Sequence, residues 1–155
     1  MSSKADLPNV SIVEPAEVSL DIDRIFKDTG VVSFKEDSIK FIPDTADFYD
    51  NSAAKNKISE IAGFLNRNKE KNFVLAGSTA TVGSDKTNKK LSLERARAVK
   101  TVLTDEFGID GDRIKCIGLG CETDNRFRIP DIDENGELIE KYAKENRAVF
   151  LYEDK

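Results

Sequence analysis
Histidine is absent from the 155 residues. That one absence excludes Ser-His-Asp and Cys-His catalysis, His-ligated zinc and the usual pH switch. Cysteine occurs only twice, as Cys116 and Cys121. Two cysteines without histidine cannot build a zinc site, which leaves a disulfide, two buried free thiols or a redox pair. Their spacing is not the Cys-X-X-Cys of thiol oxidoreductases. No run approaches the ~20 apolar residues of a membrane helix. Residues 1–9 are polar and lack the apolar stretch of a secretory leader, so they read as a loose tail. A processed or truncated export protein would read the same way. An excess of positive charge is missing too: 24 Lys and Arg stand against 29 Asp and Glu, a net charge of −5. Nucleic-acid affinity comes largely from neutralised phosphates, so a general nucleic-acid binder is excluded.

What is present is enough for one domain plus some extra chain. The apolar fraction is 39% and the charged fraction 34%, above the usual ~25% charged. A chain of this length buries roughly 68–70% of its unfolded surface and needs no staples.

Residues 10–22 alternate like a strand interrupted by Pro15, and residues 23–30 read as one helical turn closed by Gly30. Two short β-type runs follow, 31–34 and 38–42, in a hairpin arrangement without a two-residue glycine turn. From Ser52 the pattern sharpens. Ile58, Ile61, Ala62 and Leu65 recur at helical spacing, predicting a helix from a Ser52 cap to Asn66. Residues 72–78 form a continuous apolar run, the kind of strand buried on both faces. A second helix is predicted over 91–107, with Leu91, Ala96, Val99, Leu103 and Phe107 as one stripe and Gly108 as its stop. Residues 113–120 read as a strand, 137–146 as a short helix and 147–153 as a final strand. The order β-α-β-α-β-α-β predicts an α/β sandwich with helices packed on a mixed sheet.

One stretch is more specific than periodicity. From Gly77 the chain runs GSTATVGSDKTNKKLSLERARAVKTVL. This resembles the signature of the OmpA-like family (the C-terminal domain of OmpA, MotB and Pal): Gly-His-Thr-Asp, then Gly, then Asn-x-x-Leu-Ser-x-x-Arg-Ala-x-x-Val. Thr79, Gly83, Asn88, Leu91, Ser92, Arg95, Ala96 and Val99 stand at the family spacing. FIPDTADF, FGIDGDRIKCIGLG and ENRAVFL resemble the family's first strand and loop, its Gly-Ile to Gly-x-Gly segment and its terminal Asn-Arg-Arg-Val strand. The resemblance spans roughly residues 37–152. It implies an OmpA-like domain over 37–155, behind an N-terminal extension at 1–36 that adds a strand or pairs with an edge.

The resemblance further implies non-covalent binding of peptidoglycan rather than turnover, with no cofactor. In the family, an Asp at the end of the second strand and an Arg in the next helix grip the zwitterionic end of meso-diaminopimelate. A carboxylate pairs the ligand ammonium and a guanidinium fork takes its carboxylate. The Arg maps to Arg95, but the Asp position is Ala80. Ser78 replaces the signature His and Ala148 the second Arg of the terminal motif, leaving Asn146 and Arg147. The implied ligand set is therefore Arg95, Thr79, Asn88, Ser92, Arg147 and Asn146, with Asp44, Asp47 or Asp85 as loop carboxylates in place of the missing one. Asn88 or Ser92 would equally serve as a helix cap. The rival reading is an envelope protein–protein scaffold that has kept the fold and lost the wall ligand. Either role places the domain in the cell envelope, outside the cytoplasm, as a fragment of a longer exported or membrane-anchored, lipoprotein-like protein. An oxidised Cys116–Cys121 pair is compatible with that setting.

Two further segments carry candidate chemistry. Asp131, Asp133 and Asn135 with Gly136 fit the first half of a calcium loop, but Tyr142 stands where the bidentate Glu belongs; the alternative is an Asn-Gly turn. Arg126 and Arg128 flank Phe127 as a lip for an acidic glycan or peptide, or as part of a packing flap. No carboxylate pair is singled out by spacing for glycosidase chemistry.

Overall fold
Asp50 turns the chain into its longest early helix by accepting a hydrogen bond from the Ala53 N–H. The computed structural model describes residues 21–121 and 127–155. The alternating run at 10–20 and Arg126 lie outside the described residues.

The described chain begins with α1, residues 21–29, longer than the single turn expected. Its Ile22 is buried, and its Phe26 packs edge-on against Phe64 and Phe73. Strand β1, Val31–Phe34, turns Val32 and Phe34 inward. It pairs with the last strand rather than with 38–42. The reason is local: Ser38 and Ile39 both donate to the Lys35 carbonyl, so a turn carries the chain away from the strand. Residues 38–42 keep only one isolated bridge, Phe41 to Phe48.

Helix α2 spans Asn51–Asn66, capped by Asp50 rather than Ser52. Its expected stripe is buried, joined by Ala54 and Phe64. Strand β2, Phe73–Ser78, is buried at every position. Helix α3 spans Asp85–Phe107, with its cap at Ser84 and a left-handed Gly108 at its end. It starts well before Leu91 because the polar run at 85–90 is helical without any apolar period to reveal it. Strand β3, Ile114–Gly120, follows a short 3-10 turn at Gly111–Arg113. Helix α4 spans Glu140–Asn146, shorter than expected because 132 and 138 bridge across the turn before it. Strand β4 is Ala148–Glu153.

Among the described residues the sheet order is β1-β4-β2-β3, with β2 and β3 parallel and the other pairs antiparallel. This is the expected mixed sheet with helices packed on it. Phe73 and Leu75 of β2 face the helices, where Ile58, Ile61, Leu65, Val99 and Leu103 complete the main core. Val74 and Ala76 face the other way, toward Phe150 and Phe127. Helix α3 lies unusually near the sheet. A Cβ on Gly77 would overlap the Ser92 carbonyl, and one on Gly118 the Lys89 carbonyl. No described helix is long and apolar enough to cross a membrane.

Candidate functional site
Close approach of α3 to the end of β2 brings four segments together: the β2 C-terminus, the α3 start, the 36–44 loop and the beginning of β4. Between them lies a cleft of about 390 Å³. Arg95, Thr79, Asn88 and Arg147 all line it, together with Ala80. Four of the six expected ligand residues therefore converge.

Arg95 projects from the middle of α3 and is only 9% exposed. Its Nε donates to the Thr45 carbonyl at 2.7 Å and its Nη2 to the Ile42 carbonyl at 3.3 Å. Its guanidinium lies 4.9 Å from the Phe41 ring centroid, a cation–π contact. Burial pushes its pKa down and the Asp44 charge pushes it back up; an arginine remains charged regardless. No carboxylate among the described residues forms a salt bridge with it, and the rest of its fork is uncommitted.

Thr79 stands at the strand end and is 4% exposed. Its hydroxyl is buried with no hydrogen-bond partner among the described residues. Buried polar groups are nearly always satisfied, so this orphan stands apart from the rest of the cleft lining. Asn88 is an interior helix residue, not a cap; its Nδ2 donates to the Val82 carbonyl at 2.6 Å and holds the 80–84 loop. Arg147 is neutralised from two sides, by Glu36 at 3.2 Å and by both oxygens of Glu140. That pairing raises the Arg147 pKa and lowers that of Glu140.

Ser92 and Asn146 do not line the cleft. Ser92 is fully buried, donates to the Lys89 carbonyl and accepts from the Gly120 N–H, and so ties α3 to β3. Asn146 is fully buried, brackets Ile129 through both its N–H and its carbonyl, and donates to Asp131. Of the three loop carboxylates considered, only Asp44 lines the cleft. Asp85 accepts from the Cys121 thiol instead.

The Arg128 lip is also corrected. Its guanidinium is buried against Asp131 at 3.2 Å and donates to the Thr79 carbonyl and the Thr81 hydroxyl. Phe127 packs on Phe150 and Tyr152. This segment is a flap that braces the strand end from behind. The calcium reading fails on the same ground. Asp131 is spent on Arg128, Asn146 and the Thr81 N–H, and Asp133 caps its own turn by accepting from Asn135 and Glu137. Among the described residues no cluster of three metal-binding side chains occurs. Cys116 and Cys121 are both free thiols, one against the main core and one against Asp85 and Asn88. Residue spacing did not reveal Glu36, Lys40 or Phe41 as cleft residues; only their placement beside Arg95 shows it.

Fold and cleft define a small α/β domain with an arginine and an unpaired hydroxyl lining a cleft of mixed polar and apolar character. Residues 40–136 match the OmpA family model, and the chain belongs to the OmpA family. Outer membrane porin F of Pseudomonas aeruginosa is 35% identical over 106 residues, covering 68% of this chain and 29% of that protein. The chain thus spans less than a third of that relative. An outer membrane protein of Borrelia burgdorferi has a similar structure, at TM-score 0.55 and 25% identity over 79% of this chain and 86% of that one. A MotB-like protein of Desulfovibrio vulgaris matches in fold at TM-score 0.64 and 17% identity, over 93% and 96%.

Proposed function
We propose that this domain binds peptidoglycan non-covalently and anchors the protein carrying it to the cell wall, with Arg95 taking a carboxylate of the stem peptide. The supporting observation is the pairing, in one cleft, of a guanidinium that forms no salt bridge among the described residues with a buried hydroxyl that meets no partner among them. A buried fork with free donors and an orphan hydroxyl suit an incoming carboxylate. Thr79 adds its hydroxyl, Asn88 shapes the rim, and Arg147, held by Glu36 and Glu140, completes the lining. Membership of the OmpA family and the outer-membrane relatives support an envelope setting outside the cytoplasm. The role is binding rather than turnover, as befits the family.

Co-sedimentation with purified insoluble peptidoglycan tests the proposal. Wild type pellets with the wall, whereas Arg95→Ala, checked for folding by circular dichroism, stays in the supernatant. If wild type remains soluble with every wall type tried, the wall reading is wrong and the domain is an envelope scaffold for protein partners.

A further inference from the structure
Strand β3 lies at one side of the sheet and, among the described residues, pairs only with β2. Which of its main-chain groups face outward follows from β2. The Asp154 N–H donates to the Asn72 carbonyl, so the even-numbered residues of β2 bond to β4 and the odd-numbered ones to β3. In the parallel register Phe73, Leu75 and Gly77 then engage Lys115 and Ile117. Ile114, Cys116 and Gly118 turn their main-chain groups away from the sheet. Those of Ile114 are satisfied, the N–H by the Gly111 carbonyl and the carbonyl by Lys100 at 2.9 Å. The N–H and carbonyl groups of Cys116 and Gly118 meet no partner among the described residues.

The two flanks of that edge differ. Toward the helices it is basic. Leu93 packs beside Gly118 and Lys100 reaches Ile114, so the α3 face carrying Leu93, Arg97 and Lys100 runs along the strand. Burial pushes the Cys116 thiol pKa up, and the Lys100 and Arg97 charges pull it back, as cations beside the middle of the strand do. Away from the helices the flank is apolar, with Ile117 and Leu119 half-buried against the cluster around Phe150. Lys86, Lys90, Arg97 and Lys115 are exposed and form no salt bridge among the described residues. Between residues 86 and 100, Glu94 is the one acidic side chain, in a chain whose net charge is −5. Lysines along an edge repel a second copy of the same edge. They attract a strand of opposite charge.

We propose that the outer edge of β3 receives an extended, acidic segment of a partner protein as a further strand of the sheet. Its main chain bonds to Cys116 and Gly118. Its acidic side chains lie toward Arg97 and Lys100, and the alternate, apolar ones cover Ile117 and Leu119. No residue of β3 lines the cleft, so this surface stands apart from wall binding.

The probe is a fluorescein-labelled decapeptide of alternating Glu and Val, titrated onto the full 155-residue chain and followed by anisotropy. A Lys–Val decapeptide and the Glu–Val decapeptide N-methylated throughout are the comparisons. Wild type binds the plain Glu–Val peptide about tenfold or more tightly than either, since one lacks the charge and the other the main-chain donors. Exchange of the Cys116 and Gly118 amides, rapid in the free chain, slows when that peptide is present. Arg97→Glu combined with Lys115→Glu, two changes at exposed positions, weakens Glu–Val binding by a similar factor and leaves the circular dichroism unchanged. An N-methylated peptide that binds as well as its parent reduces the contact to charge alone and overturns the proposal. An unchanged affinity in the double variant overturns it too, as does a wild type that binds no peptide. Amides already protected before peptide is added also overturn it, because residues 10–20 or a second copy then cover the edge.

Discussion

Arg95 and Thr45 are joined across fifty residues of chain by a 2.7 Å bond from Nε to a main-chain carbonyl. The guanidinium that faces the cleft thus also fastens the loop forming the opposite wall. The proposed recognition and the loop order share one side chain, so they should fail together.

Arg95→Lys keeps the charge but loses the planar fork. A lysine cannot serve the Ile42 and Thr45 carbonyls in the same geometry. The expected loss is ~1.5–3 kcal/mol, from hydrogen bonds made by a charged donor. For a domain of this size each kcal/mol lowers Tm by about 2–4 °C. Amide exchange at Thr45, Asp47 and Tyr49, whose N–H groups hold this loop, should quicken. A melt and exchange pattern identical to wild type would show that the loop is held by Phe41 and Phe48 alone.

Acid should undo the brace behind the strand end. Burial pushes the Asp131 carboxyl up, but bonds from Thr81 and Asn146 and the Arg128 charge outweigh it, and the net direction is down. A carboxylate depressed in the folded state stabilises above its unfolded pKa, near 3.9, and that stability is lost as pH falls through the folded value. Asp131→Asn should therefore flatten the fall in Tm below about pH 4. It should also lower Tm at pH 7, since breaking a buried pair from one side costs ~3–5 kcal/mol. A variant whose acid limb superimposes on that of wild type would place the acid sensitivity elsewhere.

The contact between α3 and the sheet is set by main chain, which cannot step aside. Gly77→Ala and Gly118→Ala each push a methyl into a helix carbonyl, and the cost should reach or exceed the ~3 kcal/mol top of ordinary overpacking. Gly111→Ala is the control: its nearest neighbour is the far end of the Lys100 side chain at 3.4 Å, ordinary contact distance. It should change stability by less than ~1 kcal/mol. Chemical denaturation compares the three, and equal midpoints would disprove the close packing.

Much of this architecture was legible in the chain. The all-apolar run at 73–78 and the stripes of α2 and α3 foretold the central strand and its helical cover, because burial leaves its period in apolar residues. The ends were less legible. Asp50 and Ser84 cap their helices through side-chain oxygens in polar stretches where periodicity is silent. In the site, Arg95 and Thr79 followed from the family motif. Arg128 did not, since an arginine beside an aromatic looks the same whether it meets solvent or a buried Asp131. Asp44 was one of three acidic loop residues; that it alone of the three lines the cleft depends on how the 36–44 loop closes over α3, which spacing does not encode.

The thiols give an independent check. In denaturant without reductant, thiol titration should count both Cys116 and Cys121. In the folded protein Cys121 should react slowly at neutral pH. Burial first, and then its bond to Asp85, push its pKa up and deplete the reactive thiolate. A count of zero in denaturant would mean that the two are bridged.

The order of strands carries one more implication, for the time before the fold exists. β1 and β2 never touch each other; both wait for β4 to slide between them. Until residue 153 is available, β2 has one edge unpaired and every side chain seeking cover. A nascent chain therefore holds this buried segment with one edge unpaired until β4 has emerged. Such a polypeptide profits from a holding chaperone, and truncation within β4 should yield aggregates rather than a smaller domain.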